Sequence, residues 1–306
     1  MQIELIPHDR DVTRFLWLKD VSRPYSQENV QEYRFCRVIW GIVSASFLLA
    51  NTINYHLMTY NSETSRDIMN NLYVDNLITG TETTENAISY YRETKRMFEA
   101  SMNMRAWISN DEKVMRAIDE RDRCNDKYVN VLGMIWNVKE DTITVAKPKI
   151  IKCDGVITKR TILQQIASVF DPLGIYSPVM IEAKLLMQEL WKKNFDWDDI
   201  IPEELTCRWT KIAKDLLHLD SIFVNRCIDS LNINVNVRYE LITFSEASIN
   251  TYAAAVYLRI VREDSVIVNL IYAKTRLSPI KDITIPRLEL LGALIGCRAL
   301  NLSRSN

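Results

Sequence analysis

A carboxylate at the tip of a short predicted hairpin is the best-placed residue in this sequence for metal chemistry. The stretch from Leu72 to Gly80 reads LYVDNLITG, with apolar residues on both sides of Asp75 and Asn76. Asp and Asn suit a tight turn, so the pattern predicts two short strands with Asp75-Asn76 at the bend. Carboxylate oxygens are ligands that Mg²⁺ prefers. A plain surface hairpin explains the same residues, and both interpretations remain open.

The sequence lacks the residues that other kinds of catalytic or metal site require. The six cysteines are scattered without a Cys-x-x-Cys pair and there are only three histidines, which argues against zinc sites and a disulfide framework. The sequence has no P-loop, no Gly-x-Ser-x-Gly and no His-Glu-x-x-His. The net charge is −1, so binding to nucleic acid would require local basic faces.

Length and composition are typical of a globular protein of about two domains. Of the 306 residues, 47% are hydrophobic and 25% are charged, which is enough to build a core and unlike a disordered tail. We expect no secretory signal and no membrane span, since no apolar run reaches the roughly 20 residues that a bilayer requires. These features predict an intracellular protein of the cytoplasm or nucleus and leave its oligomeric state undetermined.

The elements that must position these residues fall into three parts and predict an α+β chain. Residues 1–150 mix strands with helices, including a helix from about Thr84 and a strand pair over 128–138 and 142–145. Residues 151–230 are mostly helical. The predicted helices there cover 160–170, 178–193 and a segment after Pro202. Alternating apolar residues return from about residue 231, over 239–244, 251–259 and 266–273.

With its flanking segments, the hairpin resembles the Tyr-x-Asp-Asp hairpin of reverse transcriptases, specifically those of the BEL/Pao class of LTR retrotransposons. The run before it reads FCRVIWGIVSASFLLANTINYHL, and the runs after it read YRETKRMFEASMNMRAWISN and KYVNVLGMIWNVKEDTITV. The most family-specific run is TKRTILQQIASVFDPLGIYSPVMIEAKLLMQELW, from Thr158 to Trp191. The segments ITFSEASINTYAAAVYLR and IYAKTRLSPIKDITIPRLELLGAL resemble the opening of the ribonuclease H domain.

This resemblance implies a partial reverse-transcriptase palm over residues 1–150. A helical thumb or connection is implied over 151–230, and the N-terminal part of a ribonuclease H-like α/β sheet over 231–306. The middle part is a Pao-specific region that has also been labelled peptidase A17. Because the sequence has no Asp-Thr-Gly or Asp-Ser-Gly, we expect no aspartic peptidase site.

The resemblance also implies which residues belong to the polymerase site. Asp75 matches the first aspartate of the family's pair and Asn76 the second, and the pair helps to hold two Mg²⁺ ions. Asn offers a neutral oxygen where Asp offers charge, which lowers metal affinity. The family's other essential palm aspartate precedes the residues that match Met1. We therefore expect this chain to lack polymerase activity and to bind Mg²⁺ unproductively, with Asp75 as the remaining metal ligand.

In the ribonuclease H part, the resemblance assigns two carboxylates to catalytic positions. Glu246 stands where the family has Asp in Phe-Ser-Asp-Ala-Ser, so its carboxylate reaches about one methylene further than the site tolerates. Glu289 matches the family's second acidic residue. The third and fourth lie beyond Asn306. An ordinary exposed charge pair is the alternative explanation, and we expect homologous but inactive positions.

Contacts to nucleic acid follow from the same resemblance. Gly41 and Tyr73 match positions near the template and primer, and Leu132-Gly133 matches the primer-grip turn. A strand-end glycine and a β-bulge are the respective alternatives for Gly41 and Gly133. A cluster of cations suits duplex phosphates, although a solvated charged face explains it nearly as well. Its members are Lys147, Lys149, Lys152, Lys159 and Arg160.

Two hypotheses of different classes remain at the level of sequence. One is a catalytically inert piece of a retrotransposon Pol polyprotein, related to RNA-directed DNA polymerase and ribonuclease H. The other is a host-retained module that holds an RNA-DNA hybrid or a DNA template-primer without cutting or copying it. Salt-dependent binding to a hybrid duplex distinguishes them.

Overall fold

The computed structural model of the chain describes residues 3–99, 102–146, 156–229, 237–281 and 283–304. It divides into two compact units, Met1–Asp126 and Lys127–Asn306. The boundary between the units differs from the three domain boundaries predicted above, and the domain assignment stays a prediction. Helices and antiparallel sheets occur in both units, in agreement with the predicted α+β class.

The first unit combines a two-stranded ribbon, three longer helices and the predicted hairpin. The ribbon consists of antiparallel β1 and β2, and a second small antiparallel pair, β3 and β4, forms the hairpin. The core joins α1, α2 and α3 through apolar side chains such as Leu57, Ile68 and Phe98. The elements are β1 (Arg14–Leu18), β2 (Val30–Arg34), α1 (Ala45–Met58), α2 (Glu63–Asn71), β3 (Leu72–Tyr73), β4 (Asn76–Leu77), α3 (Thr84–Phe98) and α4 (Glu112–Ala117).

The second unit contains two sheets and a helical layer. Four strands form an antiparallel meander in the order β5-β6-β7-β8, and three form a sheet in the order β11-β10-β9. The elements are β5 (Tyr128–Val131), β6 (Met134–Asn137), β7 (Thr142–Val145), α5 (Lys159–Ala167), α6 (Ser177–Lys192), α7 (Glu203–Leu216), β8 (Val224–Asn225), β9 (Arg238–Ala247), β10 (Thr251–Val261), β11 (Val266–Leu277) and α8 (Ile285–Arg304).

Helical periodicity explains the core of the second unit. The apolar residues of α7 recur at helical spacing, and Leu205, Trp209, Ile212 and Leu216 are all buried, as the sequence pattern predicts. They pack with α5, α6 and Val145 of β7 into one apolar cluster. Helix α6, which contributes to this cluster, also packs against β11 of the three-stranded sheet.

The turn between α5 and α6 attaches the helical layer to β11. The Asp171 carboxylate accepts hydrogen bonds from the backbone N–H groups of Ile175 and Tyr176, at 3.1 and 2.9 Å. Gly174 has a φ of +74°, and a Cβ added there would lie 1.8 Å from the carbonyl oxygen of Ala273. The backbone N–H of Ala273 in turn donates to the carbonyl of Leu173 at 2.8 Å. The turn therefore pairs directly with the edge of β11.

Helix α8 packs against β9 and β10 through two glycines. A Cβ on Gly296 would lie 2.8 Å from the Thr243 methyl group, and a Cβ on Gly292 would lie 3.6 Å from the Cβ of Ser245. Glycines one turn apart on the same helix face allow the helix to approach the strands closely. Thr243 and Ser245 therefore identify the sheet face that α8 covers.

Most predicted elements exist, with shifted ends. The helix predicted near residue 84 is α3, and Thr83 is its N-cap: its hydroxyl accepts the backbone N–H of Asn86 at 3.1 Å. The run 128–138 is not a single strand, because Leu132 and Gly133 both have positive φ and turn it into the hairpin of β5 and β6. The sequence pattern does not reveal this turn, because the alternation of side chains continues through a turn of only two residues.

Candidate nucleic-acid interface

The predicted catalytic hairpin exists, with its turn one residue earlier than expected. Leu72 pairs with Leu77 and Tyr73 pairs with Asn76, so the turn residues are Val74 and Asp75. The prediction that Asp75-Asn76 form the bend is therefore corrected: Asn76 belongs to β4. Val74 has a φ of +57°, a conformation that a β-branched residue rarely adopts. Its side chain packs against the apolar core, which holds the turn in place.

Residues at the hairpin tip are exposed and weakly connected. Asp75, Asn76 and Tyr73 are all exposed, and the side-chain amide of Asn76 lies 3.4 Å from the carboxylate of Asp75. Within the described ranges, no group of three or more His, Cys, Asp or Glu side chains could hold a metal ion. The residues of the tip therefore do not fit a two-Mg²⁺ site, which requires several carboxylates.

A second carboxylate, Asp67 on α2, holds both ends of the hairpin. It accepts hydrogen bonds from the Asn71 amide at 2.8 Å and from the Thr79 and Tyr90 hydroxyl groups at 2.9 and 2.8 Å. Burial and the hydrogen bond to Asp67 raise the pKa of Tyr90 above its ordinary value. The sequence analysis missed Asp67, because only the tertiary structure brings Thr79 and Tyr90 to it.

Removing this carboxylate should loosen the hairpin. In Asp67→Ala, we expect amide exchange at Ile78, whose N–H donates to the carbonyl of Asn71 at 3.2 Å, to become about tenfold faster or more. Hydrogen exchange followed by mass spectrometry measures this. Asp75→Ala is the matched control, because Asp75 makes none of these bonds, and it should leave the exchange rate unchanged. Equal rates in the two variants would contradict the assignment.

Gly41, predicted to approach a template, lies in a turn before α1 rather than at a strand end. Its φ is +95°, which favours glycine, and a Cβ added there would meet no heavy atom within 4 Å. The strand-end alternative is therefore corrected. The position is open on the surface, and its contact with nucleic acid stays a prediction.

Leu132 and Gly133 form the two-residue turn of the hairpin between β5 and β6. Val131 pairs with Met134 directly, so the alternative of a β-bulge is corrected. A Cβ on Gly133 would lie 2.6 Å from ring atoms of Phe170, and the Asn130 side chain accepts the Gly133 N–H at 3.0 Å. Glycine is therefore required at position 133, because its φ is positive and because the Phe170 ring leaves no room for a Cβ. A primer-grip role stays a prediction.

Two cations predicted to contact phosphates, Lys159 and Arg160, have interaction partners within the protein. The Lys159 ammonium is buried, lies 3.7 Å from the ring centroid of Trp191, and donates to the carbonyl of Phe195. The guanidinium of Arg160 makes two hydrogen bonds to the Asp198 carboxylate, at 2.7 and 2.8 Å. The buried Lys159 is therefore not available to a phosphate in this arrangement, whereas Arg160 is exposed beside Asp198 and its contact with a phosphate stays a prediction. The other members of that cluster, Lys147, Lys149 and Lys152, lie outside the described residues.

The two predicted ribonuclease H carboxylates lie on β9, which carries Glu246, and on α8, which carries Glu289. Side chains alternate along a strand, and Ser245 faces α8, so the side chain of Glu246 is directed to the opposite face. Glu246 is exposed and accepts a hydrogen bond from its neighbour Ala247 at 3.2 Å. Glu289 is on α8 itself, one turn before Gly292. A Cβ at Gly292 would lie 3.5 Å from the backbone carbonyl oxygen of Glu246, and the catalytic roles of both carboxylates stay predictions.

Comparison with known proteins finds a family similarity in the C-terminal part of the chain. Residues 158–306 match the family described as the Pao retrotransposon-like RNaseH-like domain. This range includes α5 to α8 and the three-stranded sheet. The chain from residue 158 is thus similar to the Pao retrotransposon-like RNaseH-like domain. No curated protein matches the chain.

The whole chain also resembles a solved reverse transcriptase in fold. This is the foamy viral protease-reverse transcriptase in complex with RNA/DNA hybrid, with a TM-score of 0.52 and 13% sequence identity. The alignment covers 95% of this chain and 34% of that chain, so the chain spans about a third of the matched protein. At this identity the likeness concerns the fold alone.

Among the described helices, none is long and apolar enough to cross a membrane.

Proposed function

We propose that this chain is a piece of a retrotransposon Pol polyprotein of the BEL/Pao class that binds RNA/DNA hybrid duplex and neither copies nor cuts it. The match of residues 158–306 to the Pao retrotransposon-like RNaseH-like domain carries the proposal. The fold likeness to a reverse transcriptase bound to RNA/DNA hybrid supports the choice of ligand. In this proposal, residues 1–150 derive from a palm and residues 151–230 from a thumb or connection.

The arrangement of carboxylates supports binding without catalysis. Hydrolysis of the RNA strand requires acidic side chains that converge on two Mg²⁺ ions. The described residues contain no group of three or more His, Cys, Asp or Glu side chains that could hold a metal ion, and the hairpin presents Asp75 beside the neutral Asn76. A phosphate backbone, in contrast, requires only exposed cations. We infer that Mg²⁺ is not held productively by this chain.

Binding to a hybrid duplex is the direct test. With a fluorescently labelled RNA/DNA hybrid, we expect anisotropy to rise on titration with the chain, and the affinity to fall steeply between about 50 and 200 mM salt. An unrelated protein with the same net charge is the control. If the chain bound the hybrid no better than this control, the proposal would fail and an inert remnant would remain.

The absence of cutting is tested with the same sample. In the presence of Mg²⁺, we expect the RNA strand to stay intact on a denaturing gel, because the described residues form no group of three or more carboxylates or other metal ligands. RNA cleavage or primer extension that disappears in Glu289→Gln or in Asp75→Asn, respectively, would show that the chain is an enzyme. The active homologue of a retrovirus serves as the positive control.

A further inference from the structure

Two exposed cations follow each other on one face of β11. Lys274 and Arg276 are two residues apart, so their side chains point to the same side of the sheet about 7 Å apart. Both are exposed, and within the described ranges no carboxylate lies within ion-pairing distance of either. Lys281, just beyond the end of β11, is also exposed. We call Lys274, Arg276 and Lys281 the β11 basic strip.

The strip lies on the sheet face that carries α8. Lys274 pairs with Ala254 of β10, and the Cβ of Ala254 lies 3.5 Å from the Cβ position of Gly296 on α8. Because α8 packs against β9 and β10, it leaves the neighbouring face of β11 open. The cations therefore border the helix on the side of the sheet where Glu289 also lies.

The local charge differs from that of the whole chain. From Val266 to Arg304 the sequence contains six Lys or Arg residues and two acidic residues, whereas the whole chain has a net charge of −1. Elsewhere, many arginines are neutralised by carboxylates in ion pairs. Examples are Arg14, Arg34, Arg160, Arg208, Arg226, Arg238 and Arg259. Cations left without a carboxylate partner create a positive surface that attracts a polyanion.

We propose that the β11 basic strip holds the phosphate backbone of the nucleic acid. This inference rests on the proposed binding function and names the surface that performs it. An ammonium group and a guanidinium group in a row along an exposed strand suit successive phosphates, and Arg can bind a phosphate with two N–H donors. The partner is a nucleic acid duplex recognised through its backbone rather than through its bases.

Neutralising the strip should weaken binding in a salt-dependent way. For Lys274→Gln/Arg276→Gln, we expect the slope of log K against log salt to become shallower by about 2, near 1 for each lost contact, in titrations of the labelled RNA/DNA hybrid. At low salt, the affinity should fall about tenfold. Glutamine keeps the length and polarity of the side chains, so the strand should stay folded, which circular dichroism checks.

A second double variant separates this inference from general electrostatics. Lys211→Gln/Lys214→Gln removes the same net charge from the exposed face of α7 in the same unit, and should leave the slope unchanged. If the natural chain bound the hybrid and both double variants lost affinity equally, or neither did, the strip would be excluded while the binding function survived. If the natural chain failed to bind, the proposed function itself would fall, and the strip with it.

Discussion

Replacing Gly174 by alanine is expected to lower the free energy of unfolding of the second unit by about 3 kcal/mol or more. Three physical reasons combine. Alanine at a φ of +74° is strained by about 1–2 kcal/mol. The new Cβ would lie 1.8 Å from the carbonyl oxygen of Ala273, so the backbone must move. That movement breaks the hydrogen bond from Ala273 to Leu173, worth about 1 kcal/mol.

Chemical denaturation followed by far-UV circular dichroism measures this loss. Gly80→Ala is the matched control, because a Cβ at Gly80 meets no heavy atom within 4 Å and its φ is not in the left-handed region. We expect it to be neutral or slightly stabilising, since alanine reduces the entropy of the unfolded chain. If both variants unfolded at the same denaturant concentration, the close approach of the turn to β11 would be refuted.

Truncation of Trp209 to alanine is expected to cost about 3–5 kcal/mol. The side chain is 2% exposed and belongs to the apolar cluster that joins α5, α6 and α7. Removing it takes away a large apolar surface and leaves a cavity that the surrounding helices fill only in part. We expect a marked fall in the midpoint of unfolding by guanidinium chloride.

Trp40→Ala makes the same chemical change on the surface of the first unit. Trp40 is 68% exposed, so its loss should change stability by less than about 1 kcal/mol. A loss as large as that of Trp209→Ala would show that tryptophan content, and not burial in the helical core, sets the stability.

Several elements of the fold could be predicted because their signals are local. The spacing of Leu205, Trp209 and Leu216 predicts a buried helix face, and the structure confirms it. The Asp-Pro-Leu-Gly segment predicts the end of α5, since proline and glycine interrupt a helix wherever it packs. The hairpin at Asp75 also follows from alternation, although its turn lies one residue earlier than predicted.

The partners of some charged residues could not be predicted, because they lie far away in the sequence. Lys159 looks like a surface cation in the sequence, yet its ammonium is enclosed by Trp191 and the carbonyl of Phe195. Arg160 is paired with Asp198, almost forty residues further along the chain. In contrast, Lys274 and Arg276 are exposed and have no carboxylate partner among the described residues.

The sequence by itself determined the helices and strands, through their periodicity, and the similarity of residues 158–306 to the Pao retrotransposon-like RNaseH-like domain. Local spacing encodes these properties. Only the tertiary structure decided that α8 covers the face of β9 that carries Thr243 and Ser245, because the face of a strand residue depends on which side the helix packs. It also decided which cations remain exposed without a carboxylate partner. The exposure of a cation and its ion-pair partner are properties of packing, because they depend on residues that are brought together from distant parts of the sequence.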